Sequence, residues 1–219
     1  MPRKCYAKVI KFGYMSNGES GFFWYADLFT GYFSTFALQK KDDGTTNPKG
    51  FMQITVSEQD IVRAAGEGMD AFLALFHDRI MEAIGGQLNA DTMPLLNGSQ
   101  ITVLAYVTLR SEVMDGGFVQ LIHNGYGPFI FLNPFAKAMR LWGAHDFSNL
   151  VYKGRKLYEK YADELTAECT DEEFMALFEQ YPEFDDLDDA FVEMEEEVTD
   201  TICHYIDEHI DDFVQVSKE

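Results

Sequence analysis

Between Asp188 and Phe213, carboxylates and apolar side chains are interleaved at a spacing that only a helix sorts onto two faces. Phe191, Met194, Val198, Ile202, Tyr205, Ile206, Ile210 and Phe213 recur at helical intervals and form one stripe. Among them stand Asp188, Asp189, Glu193, Glu195, Glu196, Glu197, Asp200, Asp207, Glu208, Asp211 and Asp212, with no Lys or Arg in the run. An amphipathic helix this acidic holds its shape only when its apolar stripe packs on other helices. The rest of the chain has to supply them.

Upstream signals predict that it does. Ser57-Glu58-Gln59-Asp60 reads as an N-cap, and Phe72, Leu73, Phe76, Ile80 and Ile84 follow at helical spacing until Gly85-Gly86 stops them. Ile101 to Val113 has β-branched stretches, but its length favours a buried helix. Asn133-Pro134 places a cap before a Pro at the first helical position, opening a helix through Trp142 that Gly143 closes. Phe147, Leu150, Val151, Leu157, Tyr158, Tyr161 and Leu165 mark another amphipathic helix. Thr170-Asp171-Glu172-Glu173 is a capping box, and the helix it opens is bounded by Pro182. Residues 57–219 are therefore expected to form an all-α, orthogonal or bundled helical domain. Residues 1–56 differ. Tyr6–Tyr14, Phe22–Phe29, Tyr32–Gln39 and Phe51–Val56 are aromatic or β-branched runs separated by turn formers. They read as a small N-terminal β-meander, or as an irregular extension with the functional unit starting at Met52.

Charge narrows the function. The 219 residues carry 17 Lys plus Arg and 37 Asp plus Glu, a net charge of −20. The last 59 residues hold 22 of the acidic side chains and 1 basic one, whereas residues 51–160 hold 11 and 9, and residues 1–50 hold 4 and 7. Direct nucleic-acid binding and anionic membrane binding both need clustered cations, so both are disfavoured and a basic partner is favoured. Cys5, Cys169 and Cys203 offer neither a disulfide framework nor a zinc spacing, which points to a reducing cytoplasm. Phe22 to Leu38 is the one apolar stretch of membrane length, but Asp27 and its bulky aromatics argue against a span.

Motifs for chemistry are lacking. There is no dinucleotide fingerprint, P-loop or nucleophile elbow, and Gly66-Glu67-Gly68 and Gly125-Tyr126-Gly127 read as turns. His204 and Glu208 share a helix face, but His209 lies five residues from His204, so the geometry of a zinc-protease helix is missing. Asp185-Asp186-Leu187-Asp188-Asp189 lacks the glycine that a calcium loop requires. His77, His123 and His145 read as hydrogen-bonding histidines at the core edge. No cofactor, metal or enzymatic activity is expected. A metal-dependent enzyme using His204 and Glu208 is the alternative from another class.

The acidic helix itself is the candidate surface. At about 1.5 Å rise per residue, its carboxylates recur every ~3.5 Å of axis, close to the ~3.4 Å spacing of phosphates along one DNA strand. Crowding like charges at i,i+3 and i,i+4 costs a few tenths of a kcal/mol per pair, so a purely solvating face would gain from interleaved Lys. It should also raise the average folded-state carboxylate pKa, making stability fall as pH rises through the mildly acidic range. Asp185, Asp186, Asp188, Asp189, Glu193, Glu196, Glu197, Asp200, Asp207, Glu208 and Asp211 are the expected partner-binding residues.

At Glu112-Val113-Met114-Asp115-Gly116-Gly117-Phe118-Val119-Gln120, followed by Asn124-Gly125-Tyr126-Gly127, the sequence resembles the bacterial DNA-mimic protein family. The match lies at Gly116, Gly117, Phe118, Gln120, Asn124 and Gly125, and Asp115 stands where Asn is usual. The resemblance spans roughly residues 57–214 and leaves 1–50 unmatched. It implies an all-α, acidic protein, dimeric in the family's usual form, that occupies the DNA-binding surface of a basic protein such as a transcription factor. An acidic inhibitor of a nuclease is the second binding reading of the same surface. The signature has a structural reading of its own: Gly116-Gly117 ends one helix, Phe118 enters the core, and Gln120 and Asn124 bond backbone at the turn.

Overall fold

A computed structural model describes residues 51–218. Its helices are α1 (Glu58–Glu67), α2 (Met69–Ala83), α3 (Gly98–His123), α4 (Gly127–Phe131), α5 (Phe135–Leu141), α6 (His145–Leu165), α7 (Asp171–Gln180) and α8 (Asp185–Glu208). Two short strands, β1 (Thr55–Ser57) and β2 (Gln215–Ser217), complete an otherwise all-α body. The expected meander and the Phe22–Leu38 stretch lie outside the described residues. Among the described residues, no helix is long and apolar enough to cross a membrane.

α3 is the axis of the fold. Ile101, Val103, Leu104, Ala105, Tyr106, Leu109 and Val113 are all buried, because α2, α5, α6 and α8 pack around it. The β-branched stretch within it is helical because burial on every side outweighs the few tenths of a kcal/mol by which those residues disfavour a helix. Phe147 of α6 is the hub of the aromatic core. It meets Tyr106 of α3 edge-on at 5.8 Å between ring centroids, Phe135 of α5 at 5.9 Å and Phe191 of α8 at 5.7 Å. Each such ring buried contributes roughly 1.5–3 kcal/mol. These contacts tie four helices to one side chain, and they hold the apolar stripe of α8 inward.

Local signals set most boundaries. Ser57 Oγ accepts from the Asp60 amide at 3.0 Å, and Thr170 Oγ1 accepts from Glu173 N at 3.2 Å while Glu173 Oε2 accepts from Thr170 N at 2.8 Å. Asn97 and Gln100 make a second reciprocal box at the start of α3, with both bonds at 2.9 Å. Several boundaries differ from the sequence reading, the central helix among them, which runs from Gly98 to His123 rather than from Ile101 to Val113. The run after Ser57 is two helices, because Gly68 turns the chain at φ 116°. The helix after Asn133 starts one residue later than expected, at Phe135, so Pro134 takes the cap position and Asn133 stands before it, its Oδ1 accepting from the Phe135 amide at 2.6 Å. The last helix starts at Asp185 rather than Asp188 and ends at Glu208, and a single 3-10 turn, Ile210–Asp212, then carries Phe213 into the core.

The end of the Phe51–Val56 run pairs with a strand at the far end of the described residues. β1 runs parallel to β2, with Thr55 opposite Gln215, Val56 opposite Val216 and Ser57 opposite Ser217. Ile54 and Val56 are buried in the helical core. Asn97 Nδ2 and Gln100 Nε2 donate to the carbonyls of Asp212 and Phe213, both at 2.8 Å, so the cap of the central helix also anchors the segment leading into β2.

Candidate partner-binding surface

α8 sorts its side chains as its spacing demands. Leu187, Phe191, Val198, Ile202 and Ile206 point inward, and Asp186, Asp189, Glu193, Glu196, Glu197, Asp207 and Glu208 are exposed on the opposite face. Asp200 is half-buried on that face, Asp185 is exposed at its edge, and Asp211 is exposed on the 3-10 turn beyond it. From Asp186 to Glu208 the face is about 33 Å long. No Lys or Arg lies on the helix. The one group on this face able to take a positive charge is His204. Its Nδ1 lies 2.9 Å from the Asp200 carbonyl and 3.2 Å from Asp200 Oδ1. Those bonds, then the Asp200, Glu208 and Asp207 charges, push the imidazole pKa above its ordinary value. Among the described residues, no three His, Cys, Asp or Glu side chains converge as metal ligands would.

Two carboxylates of α8 are used internally. Asp188 Oδ1 accepts from the Phe118 amide at 2.8 Å, so α8 caps the second half of α3 across 70 residues of sequence. Burial, opposed by that hydrogen bond and reinforced by the Asp185 and Asp189 charges, raises the Asp188 pKa to about 6. Glu195 is buried, because it falls on the stripe of Phe191 and Val198 rather than on the outer face. Its Oε1 accepts from Arg110 Nε and, at 2.9 Å, from Thr199 Oγ1, and Tyr106 OH completes the relay 2.6 Å from Thr199. Arg110 also reaches Asp70 at 2.8 Å. Asp212, beyond the helix, has its pKa raised by burial first. The two carboxylates Asp188 and Asp212 are thus raised mainly by burial, a different cause from the like-charge crowding expected of the helix.

The Gly-Gly-Phe signature explains the Asp188 contact. Gly116 (φ −151°, ψ 23°) and Gly117 (φ 73°, ψ −178°) interrupt α3, and Gly117 occupies a region essentially closed to residues with a Cβ. A Cβ built there also overlaps the Asp188 carboxylate. The break frees the Phe118 amide for Asp188 and turns the Phe118 ring into the core, fully buried. Gln120 and Asn124, expected to bond backbone, bond side chains instead. Glu112 Oε2 accepts from Gln120 Nε2 at 3.3 Å and from Asn124 Nδ2 at 2.7 Å, and Asp115 Oδ2 accepts from Gln120 Nε2 at 3.0 Å. The interrupted helix is thereby laced across its own break. Gly125 forms the turn after α3, at φ 84°. His123 accepts the structural role anticipated for it, with Nδ1 2.9 Å from the Leu165 carbonyl and the ring 4.5 Å from Phe174 of α7.

Sequence reasoning placed Glu112 at the head of the signature without its acceptor role, and it missed Arg110 and the internal use of Asp188. A signal existed only for Glu195, whose helical phase matches the apolar stripe. The signature and the acidic helix both fall inside the region shared with known proteins. A family model described as DMP19-like protein matches residues 94–209, which run from just before α3 to the end of α8. The DNA mimic protein DMP19 of Neisseria meningitidis serogroup B is 31% identical over 133 residues, covering 60% of this chain and 81% of that protein. With its signature, helices α3 to α8 and the acidic face of α8 all within that match, which covers more than half of the chain, the chain belongs to the DMP19-like protein family.

Proposed function

We propose that the chain is a non-enzymatic DNA mimic. Its outer α8 carboxylates stand in for backbone phosphates and occupy the DNA-binding surface of a basic protein such as a transcription factor, modulating its access to DNA. The observation that carries this reading is the outer face of α8, where Asp186, Asp189, Glu193, Glu196, Glu197, Asp200, Asp207 and Glu208 share one side with no Lys or Arg among them. The name of the meningococcal relative supports it. Asp185 and Asp211 extend the surface at its ends, and Asp188 stays with the α3 break rather than with the partner. A reducing cytoplasm suits the reading, since Cys169 and Cys203 are free thiols.

The test replaces Glu193, Glu196, Asp200, Asp207 and Asp211 with Gln or Asn, which keeps shape and removes charge. A partner is captured from native lysate at low salt, and its affinity for the wild type and the quintuple variant is compared. At ~0.3–1 kcal/mol for each exposed site, the five changes sum to roughly 1.5–5 kcal/mol, so binding should drop tenfold or more. DNA should compete for the same surface of the partner, and binding should weaken steeply with salt. Unchanged affinity in the folded variant would return the face to a solvating role.

A further inference from the structure

The acidic face of α8 has an apolar neighbour. Three side-chain contacts fix how α3 and α8 lie against each other: Asp188 with the Phe118 amide, Glu195 with Arg110, and Thr199 with Tyr106. Residue numbers fall along α3 as they rise along α8, so the two helices are antiparallel. Met114, midway between Arg110 and Phe118, therefore stands opposite the turn of α8 that holds Phe191 and Val192. Phe191 is buried, and Val192 lies about 100° further round the helix, on its rim. Met114 is 48% and Val192 55% exposed, so the seam between the helices is open to water at this level. A second exposed methionine, Met69, starts α2 beside the same helix, its carbonyl accepting from Cys203 Sγ at 3.5 Å.

The charge around this pair is of one sign. Asp189 and Glu196 stand three residues before and four residues after Val192, hence on its side of α8, and Asp115 follows Met114 on α3. All three are exposed. Arg110 is the one Lys or Arg on α3, and it is engaged by Glu195 and Asp70, while α8 has none. Scattered apolar side chains on a surface are ordinary. Here two of them meet across a helix seam inside a rim of carboxylates, and they adjoin the outer α8 face.

We infer that Met114 and Val192 are the apolar centre of the partner-binding surface, and that this centre takes a basic amphipathic segment of the partner. An apolar side chain of that segment covers the pair, and Lys or Arg on either side of it meet Asp115, Asp189 and Glu196. The inference rests on reading α8 as a face for a basic protein, and it adds what that protein must carry besides charge. Charge complementarity selects the occupant. A purely apolar segment would strip water from the carboxylates without returning a hydrogen bond, and an anionic one would be repelled. Lys and Arg instead lay their stems on apolar surface while their heads reach the carboxylates. Methionine, unbranched and flexible, moulds to apolar side chains of different shape. Salt screens the carboxylates but not the apolar contact, so part of the affinity should survive where an interface of phosphate-like charges alone would fail.

The experiment measures fluorescence anisotropy of two labelled peptides, at nanomolar concentration, against the full chain. Both are about 20 residues long, ~30 Å as a helix, and carry the same positive charge. One sets Lys and Leu on opposite helical faces, and the other has Gln in place of every Leu. At low salt both should bind. In about 1 M salt, where the screening length is ~3 Å, the Lys-Gln peptide should be released and the Lys-Leu peptide retained. Met114→Ser with Val192→Ser should weaken the retained binding about tenfold or more, with helicity unchanged by circular dichroism. Val62→Ser with Met175→Ser, at apolar positions of similar exposure on α1 and α7, should leave it unchanged. A photo-crosslinking benzoylphenylalanine at position 192 should join the chain to the Lys-Leu peptide. The inference is overturned if both peptides bind at low salt but behave alike in high salt, which leaves the acidic face a role by charge alone. Equal losses in the two Ser variants overturn it, as does a cross-link from position 192 to residues 1–50 of the same chain or to a second copy in place of the peptide. Failure of both peptides to bind at low salt would overturn it together with the proposed function.

Discussion

Replacing Asp188 with Asn should stabilise the protein at neutral pH, although Asp188 makes a well-formed hydrogen bond. The folded-state pKa of about 6 lies above the ordinary carboxylate value of about 3.9, so the native state holds this proton more tightly than the unfolded chain does. Stability contributed by the protonated form is fully present below about pH 4 and is lost as pH rises toward about 6. Two units at ~1.36 kcal/mol each give roughly 2.7 kcal/mol, and because the carboxylate remains partly exposed, solvent screening cuts this to about 1–2 kcal/mol. Asn keeps an oxygen for the Phe118 amide and never pays for burying a charge. Denaturant unfolding of Asp188→Asn should therefore show a gain of about 1–2 kcal/mol near pH 7 that shrinks to roughly a third near pH 4.5, where the wild type is already largely protonated. Asp188→Ala separates the two effects, since it strands the Phe118 N–H and should fall below Asp188→Asn by about 0.5–2 kcal/mol at both pH values. An Asn variant less stable than wild type near pH 7, or a gain equal at both pH values, would refute the reasoning.

Two further outcomes follow from buried polar groups. The Tyr158 hydroxyl is buried without a hydrogen-bond partner among the described residues, and burial pushes its pKa up to about 12. Tyr158→Phe should accordingly raise the melting temperature by a few degrees, on the order of 1 kcal/mol, and a clear drop would reveal a bond to that hydroxyl. Arg110→Ala leaves Glu195 buried with Thr199 as its remaining donor, so unfolding in urea should show a loss of about 3 kcal/mol, partly recovered by adding Glu195→Gln. A loss under about 1 kcal/mol would mean that water replaces the guanidinium.

What the sequence made legible was whatever a few neighbouring residues decide. The Ser57 cap and the Thr170 box sit where their spacing placed them, because each bond closes within three residues. The α8 stripe was readable for the same reason, since helical phase is a local property. The pairing of Thr55–Ser57 with Gln215–Ser217 was not, because strands of three residues carry almost no periodic signal and their partner lies at the other end of the described chain. Asp188 looked like one more carboxylate in an acidic run. Its cap on Phe118 depends on the path of the chain between α3 and α8, which no local pattern encodes. Glu112 was hidden differently: its acceptors' partners, Gln120 and Asn124, were recognised, but turn chemistry suggested backbone bonds where the break in α3 left a side-chain acceptor within reach.

The parallel pairing of β1 and β2 bears on how the body responds to force. A pull applied at the entry to β1 and the exit from β2 draws parallel strands past each other along their length, so the backbone bonds of the pair are loaded together rather than one after another. Gln215 N donates to the Ile54 carbonyl at 2.7 Å at the start of this clamp, and Val56 anchors it in the core. The helices behind it are joined mainly by side-chain packing, which yields gradually. Traction from either side, such as that of an unfolding protease, should therefore meet its steepest resistance at three residue pairs before any helix is drawn out.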